Sequence, residues 1–289
     1  MKILRWLCIA LIGLVLALLP ASSTTAASTR PTHYYLVDRV RSNTDFATLA
    51  SWGINTAVVD MYVNGTTSSW QSVLTAASNA GVNIVIWPDQ TGGSDVDGCR
   101  WENPFNNPQN GDYIWSVKPM LDAIGSNPHV IGIVSAHEPE WATSACRTSV
   151  NDMATIKTQL KNYMQAKGRT DFKVWNFIDN ITDLGYGNTA DYSGPADIPR
   201  IMDVAVTWQH CAGNAESSCD VGSNSALARI NNDRARLTAA GLNGTVELVF
   251  IMQTFTTSSP YSTRFTLPQL ENYSCEFLNT SALDGFGSI

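Results

Sequence analysis

Residues 127–141 read Asn127-Pro128-His129-Val130-Ile131-Gly132-Ile133-Val134-Ser135-Ala136-His137-Glu138-Pro139-Glu140-Trp141. Val130–Val134 is apolar on both faces and rich in β-branched residues. That is the pattern of a strand buried between two layers in a parallel sheet, not of an antiparallel strand with one wet face. The same pattern recurs at Tyr34–Val37, Thr56–Val59, Val82–Ile86, Phe172–Phe177, Met202–Val206 and Val246–Met252. Helical patterns lie between these runs. Asp45–Trp52 follows Asn43 and Thr44 as candidate caps and stops at Gly53, and Trp70–Ala80 stops at Gly81. Ser149–Lys167 carries Val150, Met153, Ile156, Leu160 and Tyr163 on one face, and Leu227, Ile230 and Leu237 mark another helix that ends at Gly241. Leu270–Leu278 reads as a further helix, and Gly285-Phe286-Gly287-Ser288-Ile289 as the opening of an eighth strand. Seven strands and the start of an eighth, alternating with helices, predict an α/β chain folded as a (β/α)8 TIM barrel truncated at strand eight. An open nucleotide-binding sheet is disfavoured, because no Gly-x-Gly-x-x-Gly follows the first strand.

The composition narrows the function. Among 289 residues, 18 Lys and Arg stand against 25 Asp and Glu, a formal charge of −7. Only 15% are charged and 44% hydrophobic, so the chain is neither disordered nor a polyanion binder, which would need clustered basic residues. No nucleic acid partner is expected.

The N-terminus reads as an export signal. Lys2 and Arg5 precede an apolar run from Trp6 to Leu19, and small residues follow to Thr25-Ala26-Ala27. The run is short of the ~20 residues a membrane span needs. Cleavage after residue 27 removes two basic groups and no acids, leaving a charge of −9. The expected organisation is a signal peptide over 1–27, a linker over 28–32 and one barrel over 33–289, a secreted monomer with no membrane contact after cleavage. Five cysteines remain, and an oxidising compartment makes disulfides the default. Cys211 and Cys219 share one Gly/Ser-rich loop, and Cys99 and Cys146 follow two successive strands, so these are the candidate pairs, with Cys275 left over. No Cys-x-x-Cys or His-x-x-x-His spacing occurs, and neither a metal nor a cofactor is expected.

In a barrel of this kind the chemistry sits at the C-terminal ends of the strands. The residues that fall there are Asp38, Asp60, Asp89, Glu138, Asp179, Trp208 with His210, and Gln253. Glu247 opens strand seven and belongs at the opposite end. Aromatic residues gather at the same rim: Tyr62, Trp87, Trp101, Trp141 and Trp208. Their faces can cover the C–H faces of sugar rings. Trp52, Trp70 and Trp175, on helices or inside a strand, are expected in the core.

The segment His137-Glu138-Pro139-Glu140 resembles the strand-four motif of clan A glycoside hydrolases, in which a strand ends in Asn-Glu-Pro and the Glu is the general acid/base. It is closer to a secreted glycosidase-like branch with Asp-Glu-Pro-Glu here. The resemblance extends to Gln253-Thr254-Phe255 after strand seven and loosely to Gly285-Phe286-Gly287. It implies a glycoside hydrolase acting on a poly- or oligosaccharide, with Glu138 as proton donor and Asp60 or Asp179 as candidate second catalytic carboxylate. Asp89 is a further positional substitute for that role, and Asp38, Trp87, Asp89, His137, Trp141, Trp208, His210 and Gln253 are the candidate substrate contacts. Two departures matter. His137 replaces the Asn of the motif, and Gln253 stands where the clan has its nucleophilic Glu. An amide can neither attack an anomeric carbon nor act as a base, so either the second carboxylate comes from elsewhere, or the substrate assists, or the chain is a non-catalytic glycan-binding barrel, which is the alternative reading. Another class of hydrolase lacks support, since neither Gly-x-Ser-x-Gly nor His-Glu-x-x-His occurs.

Overall fold

A computed structural model describes residues 31–41, 44–89, 105, 108–137, 149–178, 181, 192–209, 226–252 and 281–288. Eight strands appear in chain order: β1 Tyr34–Val40, β2 Thr56–Tyr62, β3 Asn83–Asp89, β4 Val130–His137, β5 Lys173–Ile178, β6 Val204–Gln209, β7 Glu247–Met252 and β8 Gly285–Ser288. Each is parallel to its neighbours, and the order β1 to β8 closes into a barrel. The four residues of β8 pair with β7 on one side and β1 on the other, with Gly285 opposite both Val249 and Tyr34. The chain is therefore a (β/α)8 barrel.

Among the described residues, the helices are α1 Phe46–Ser51, α2 Thr67–Ala80, α3 Lys118–Ile124, α4 Val150–Ala166, α5 Ile198–Ile201 and α6 Ala226–Ala239. Local chemistry sets their ends. Ser149 caps α4 by accepting from Asp152 N, and Thr66 and Ser69 form a reciprocal capping box on α2. Gly81 ends α2 at φ 73°, a left-handed conformation that a side chain would strain. The cap of α1 is Asp45 rather than Asn43 or Thr44, since its carboxylate accepts from Ala47 N and Thr48 N. Trp52 is a second correction. A continuing helix would carry it onto the buried face of Phe46 and Leu49, but α1 stops at Ser51 and Trp52 is 72% exposed. Trp70 and Trp175 are buried as expected.

Alternate strand residues fill the interior, among them Tyr34, Leu36, Val58, Val85, Ile131, Trp175, Val206 and Val249. Two glycines make room for its large rings. A Cβ on Gly132 would stand 2.5 Å from Trp175 Nε1, and one on Gly285 would stand 2.6 Å from Tyr34 Cβ. Tyr34 and Trp175 then meet edge to face, with centroids 5.0 Å apart. The opposite parity packs under the helices: Ala57, Ile84 and Val174 beneath α2, α3 and α4, and Ala205, Leu248 and Phe250 beneath α6. At the N-terminal end Glu247 accepts from the Tyr34 hydroxyl at 2.8 Å, and Asp203 pairs with Lys157 at 2.7 Å. That end holds the barrel together and leaves the other rim for chemistry. No helix among the described residues is long and apolar enough to cross a membrane. Residues 1–27 and the expected helix Leu270–Leu278 lie outside the described residues, as do Cys99, Cys146, Cys211, Cys219 and Cys275.

Candidate active site

Strand parity aims three aspartates into the barrel mouth. Asp38 follows Tyr34 and Leu36, Asp60 follows Val58, and Asp89 follows Val85 and Trp87, all on inward-facing positions. Asp60 lies opposite Trp87 across the β2–β3 pair, and Asp89 lies opposite Tyr62 one step higher. Asp38 and Asp89 are buried, Asp60 is half-buried, and Tyr62 is 52% exposed at the edge. The strands carry these residues within themselves, not in the loops beyond.

An aromatic cluster lines the same end of the barrel. His137, the last residue of β4, lies across from Phe177 of β5. The rings of Trp87 and His137 are 5.0 Å apart at 60°, those of Trp87 and Phe177 5.0 Å apart at 64°, and those of His137 and Phe177 6.0 Å apart. Trp87 and Phe177 are each 1% exposed, so Trp87 stands in the floor of the mouth and not on an open face of it. Phe177 was not singled out from sequence, although it shares the inward parity of Trp175. No group of three or more His, Cys, Asp or Glu among the described residues is placed to hold a metal ion.

The remaining candidates divide by what is described. Trp208 belongs to β6 by its backbone, and its side chain lies outside the described residues. Glu138, Trp141, Asp179, His210 and Gln253 also lie outside them. Their chain positions follow directly from the strands: Glu138 comes next after β4, Asp179 next after β5, and Gln253 next after β7.

Sequence reasoning passed over Asp233. It lies on α6, 2% exposed, and its Oδ1 accepts from Ile181 N at 3.2 Å. Burial pushes its carboxyl up to about 6, against the lowering influence of the Ile181 amide, Arg229, Thr207 and Arg236. Its signal was visible, because Asp233 falls between Ile230 and Leu237 on the apolar stripe of α6.

No protein-family model matches the chain, and no curated protein sequence does. Solved structures do match over most of its length. A family 39 glycoside hydrolase from the gut symbiont Bacteroides cellulosilyticus gives a TM-score of 0.56 at 10% identity, over 90% of this chain and 57% of that one. A GH18 chitinase from Cycas revoluta gives 0.53 at 10% identity, over 89% of this chain and 94% of that one. A fungal β-1,4-galactanase gives 0.51 at 12% identity, over 88% of each. The chain has the (β/α)8-barrel fold of these glycoside hydrolases.

Proposed function

We propose that the chain is a secreted glycoside hydrolase that cleaves a poly- or oligosaccharide at the C-terminal mouth of its barrel, with Glu138 as general acid/base. The observation that carries this reading is the mouth itself, where the inward positions of β1, β2 and β3 carry Asp38, Asp60 and Asp89 at the end of the barrel that also holds the Trp87–His137–Phe177 cluster, with Glu138 next in the chain after His137. The fold shared with glycoside hydrolases of known structure supports it.

Cleavage of a glycosidic bond needs a proton on the leaving oxygen and a carboxylate on the other side of the sugar. Glu138 supplies the proton. Asp60, Asp89 or Asp179 supplies the second carboxylate, and its distance from Glu138 sets the stereochemistry: about 5–5.5 Å for retention, roughly 6.5–9.5 Å for inversion. Asp38, His137, His210 and Gln253 hold sugar hydroxyls, and Trp141 and Trp208 cover ring faces. The chain works as a monomer without cofactor, exported by residues 1–27 and joined through 28–32 to the barrel at 33–289.

Release of reducing sugar from a panel of polysaccharides tests the reading, and saturable release that is lost on boiling is the expected result. A specific feature favours one alternative, a glycan-binding barrel without turnover: the amide of Gln253 in place of the strand-seven carboxylate. Binding of the same polysaccharides with no release from any of them establishes that alternative. Under either reading Gln253→Ala weakens binding, because an amide there serves to hold a ligand.

A further inference from the structure

The exit of β5 is tied down from behind the barrel. Ile181, three residues past the end of β5, is fully buried and held at both polar groups of its backbone. Its N–H donates to Asp233 Oδ1 at 3.2 Å, and its carbonyl accepts from the Tyr192 hydroxyl at 3.3 Å. Asp233 comes from α6, on the stripe where Ile230 and Leu237 are both 0% exposed. Packing alone would place an aliphatic residue there, since burying a carboxyl opposes folding unless its bonds offset the loss of water.

Thr207 of β6 is the other neighbour. Val204 and Val206 point into the barrel, and Thr207, at 0% exposure, points out toward α6. Its hydroxyl lies beside the Asp233 carboxyl and acts on it, although neither Thr207 Oγ1 nor Asp233 Oδ2 reaches good hydrogen-bond geometry. The charged and titratable groups around the carboxyl are Arg229 and Arg236 on its own helix. Beyond Ile181 stand Tyr192 and Asp197. One buried carboxyl thus touches three parts of the barrel: α6, the outer face of β6, and the backbone leaving β5.

We propose that Asp233 is a positioning residue of the active-site rim, locking the exit of β5 onto α6 and so fixing the mouth end of β5, after which the sequence places Asp179. Asp179 follows Ile178 directly and precedes the pinned Ile181 by two residues. Only this last link rests on the glycosidase reading; the lock itself does not.

Hydrogen–deuterium exchange at the Ile181 amide of the full chain tests the lock. Asp233→Ala is expected to speed that exchange about tenfold or more, the loss of one buried hydrogen bond. Asp233→Asn, whose amide oxygen accepts the same bond, is expected to stay close to wild type, and amides of β2 are expected not to change. If the alanine variant does not fold, Asp233→Ser, polar but too short to reach Ile181, replaces it. Equal exchange in wild type and the shortened variant overturns the proposal. On a saccharide that the wild type cleaves, the shortened variant is expected to lower kcat roughly ten- to a hundredfold with KM nearly constant, and asparagine to restore it. An unchanged kcat beside a loosened Ile181 overturns the positioning role. A wild type that cleaves nothing overturns the glycosidase reading, and the exchange result then decides the lock alone.

Discussion

Two carboxyl groups, Glu138 and Asp233, can each be separated from their surroundings by one isosteric change. Glu138→Gln keeps the shape of the side chain and removes the proton that the proposed mechanism has it donate. Turnover is expected to fall by about 10²–10⁴, while sugar affinity measured by calorimetry stays near the wild-type value. Near-normal hydrolysis by this variant ends the assignment. Asp233→Asn is expected to act on stability. Burial holds the folded-state carboxyl near 6, above its ordinary value, so the native state binds this proton more tightly than the unfolded chain does. Its contribution is fully present below the unfolded value and is lost as the pH rises through about 6. Wild type is therefore expected to lose on the order of 3 kcal/mol relative to Asp233→Asn between pH 4 and pH 7. Urea melts of the pair across that range check it, and parallel curves contradict it. The Glu138 motif was legible because it is local in sequence. Asp233 was harder to see, because its meaning depends on Ile181 and Thr207, which only the folded chain brings to it.

At the scale of elements, every strand was found near its true start, and most were read about three residues short at the other end. β1 was expected to stop at Val37 and runs to Val40; β2 continues past Val59 to Tyr62, and β3 past Ile86 to Asp89. The cause is chemical. An apolar run marks a strand only while both faces are dry, and the last residues of these strands point Asp38, Asp60, Asp89 and His137 into a polar mouth. The criterion failed where the candidate site begins. Helix α3 escaped notice because seven residues opening in Lys118-Pro119 are too few to show a period. Glycine carries a different kind of information. Gly132→Ala places a Cβ 2.5 Å from Trp175 Nε1 and 2.6 Å from the Lys173 carbonyl, which is backbone and cannot swing away. A loss of roughly 1–3 kcal/mol in denaturant melts is expected.

The whole molecule separates two tasks by end. Tyr34, Lys173, Asp203 and Glu247 knit the N-terminal end with hydrogen bonds and ion pairs, and the opposite mouth collects Asp38, Asp60 and Asp89. That division was readable from strand polarity alone once the parallel order was inferred. The proposed bridges fall in the segments that follow β3, β4 and β6 in the chain. Peptide mapping without reduction is expected to find Cys211 joined to Cys219 and Cys99 to Cys146, each pair with Cα atoms about 4.4–6.8 Å apart. A fragment joining Cys275 to Cys99 or Cys146 overturns the second pair. The closure by β8 has a consequence in time. Its partners in β1 lie about 250 residues earlier in the chain, and Asp284, just before it, accepts from Leu248 N and pairs with Arg234. Without β8, β1 and β7 would present open, apolar edges that no other strand in the ring pairs. Ring closure therefore waits on the strand pairing of longest sequence separation in the barrel.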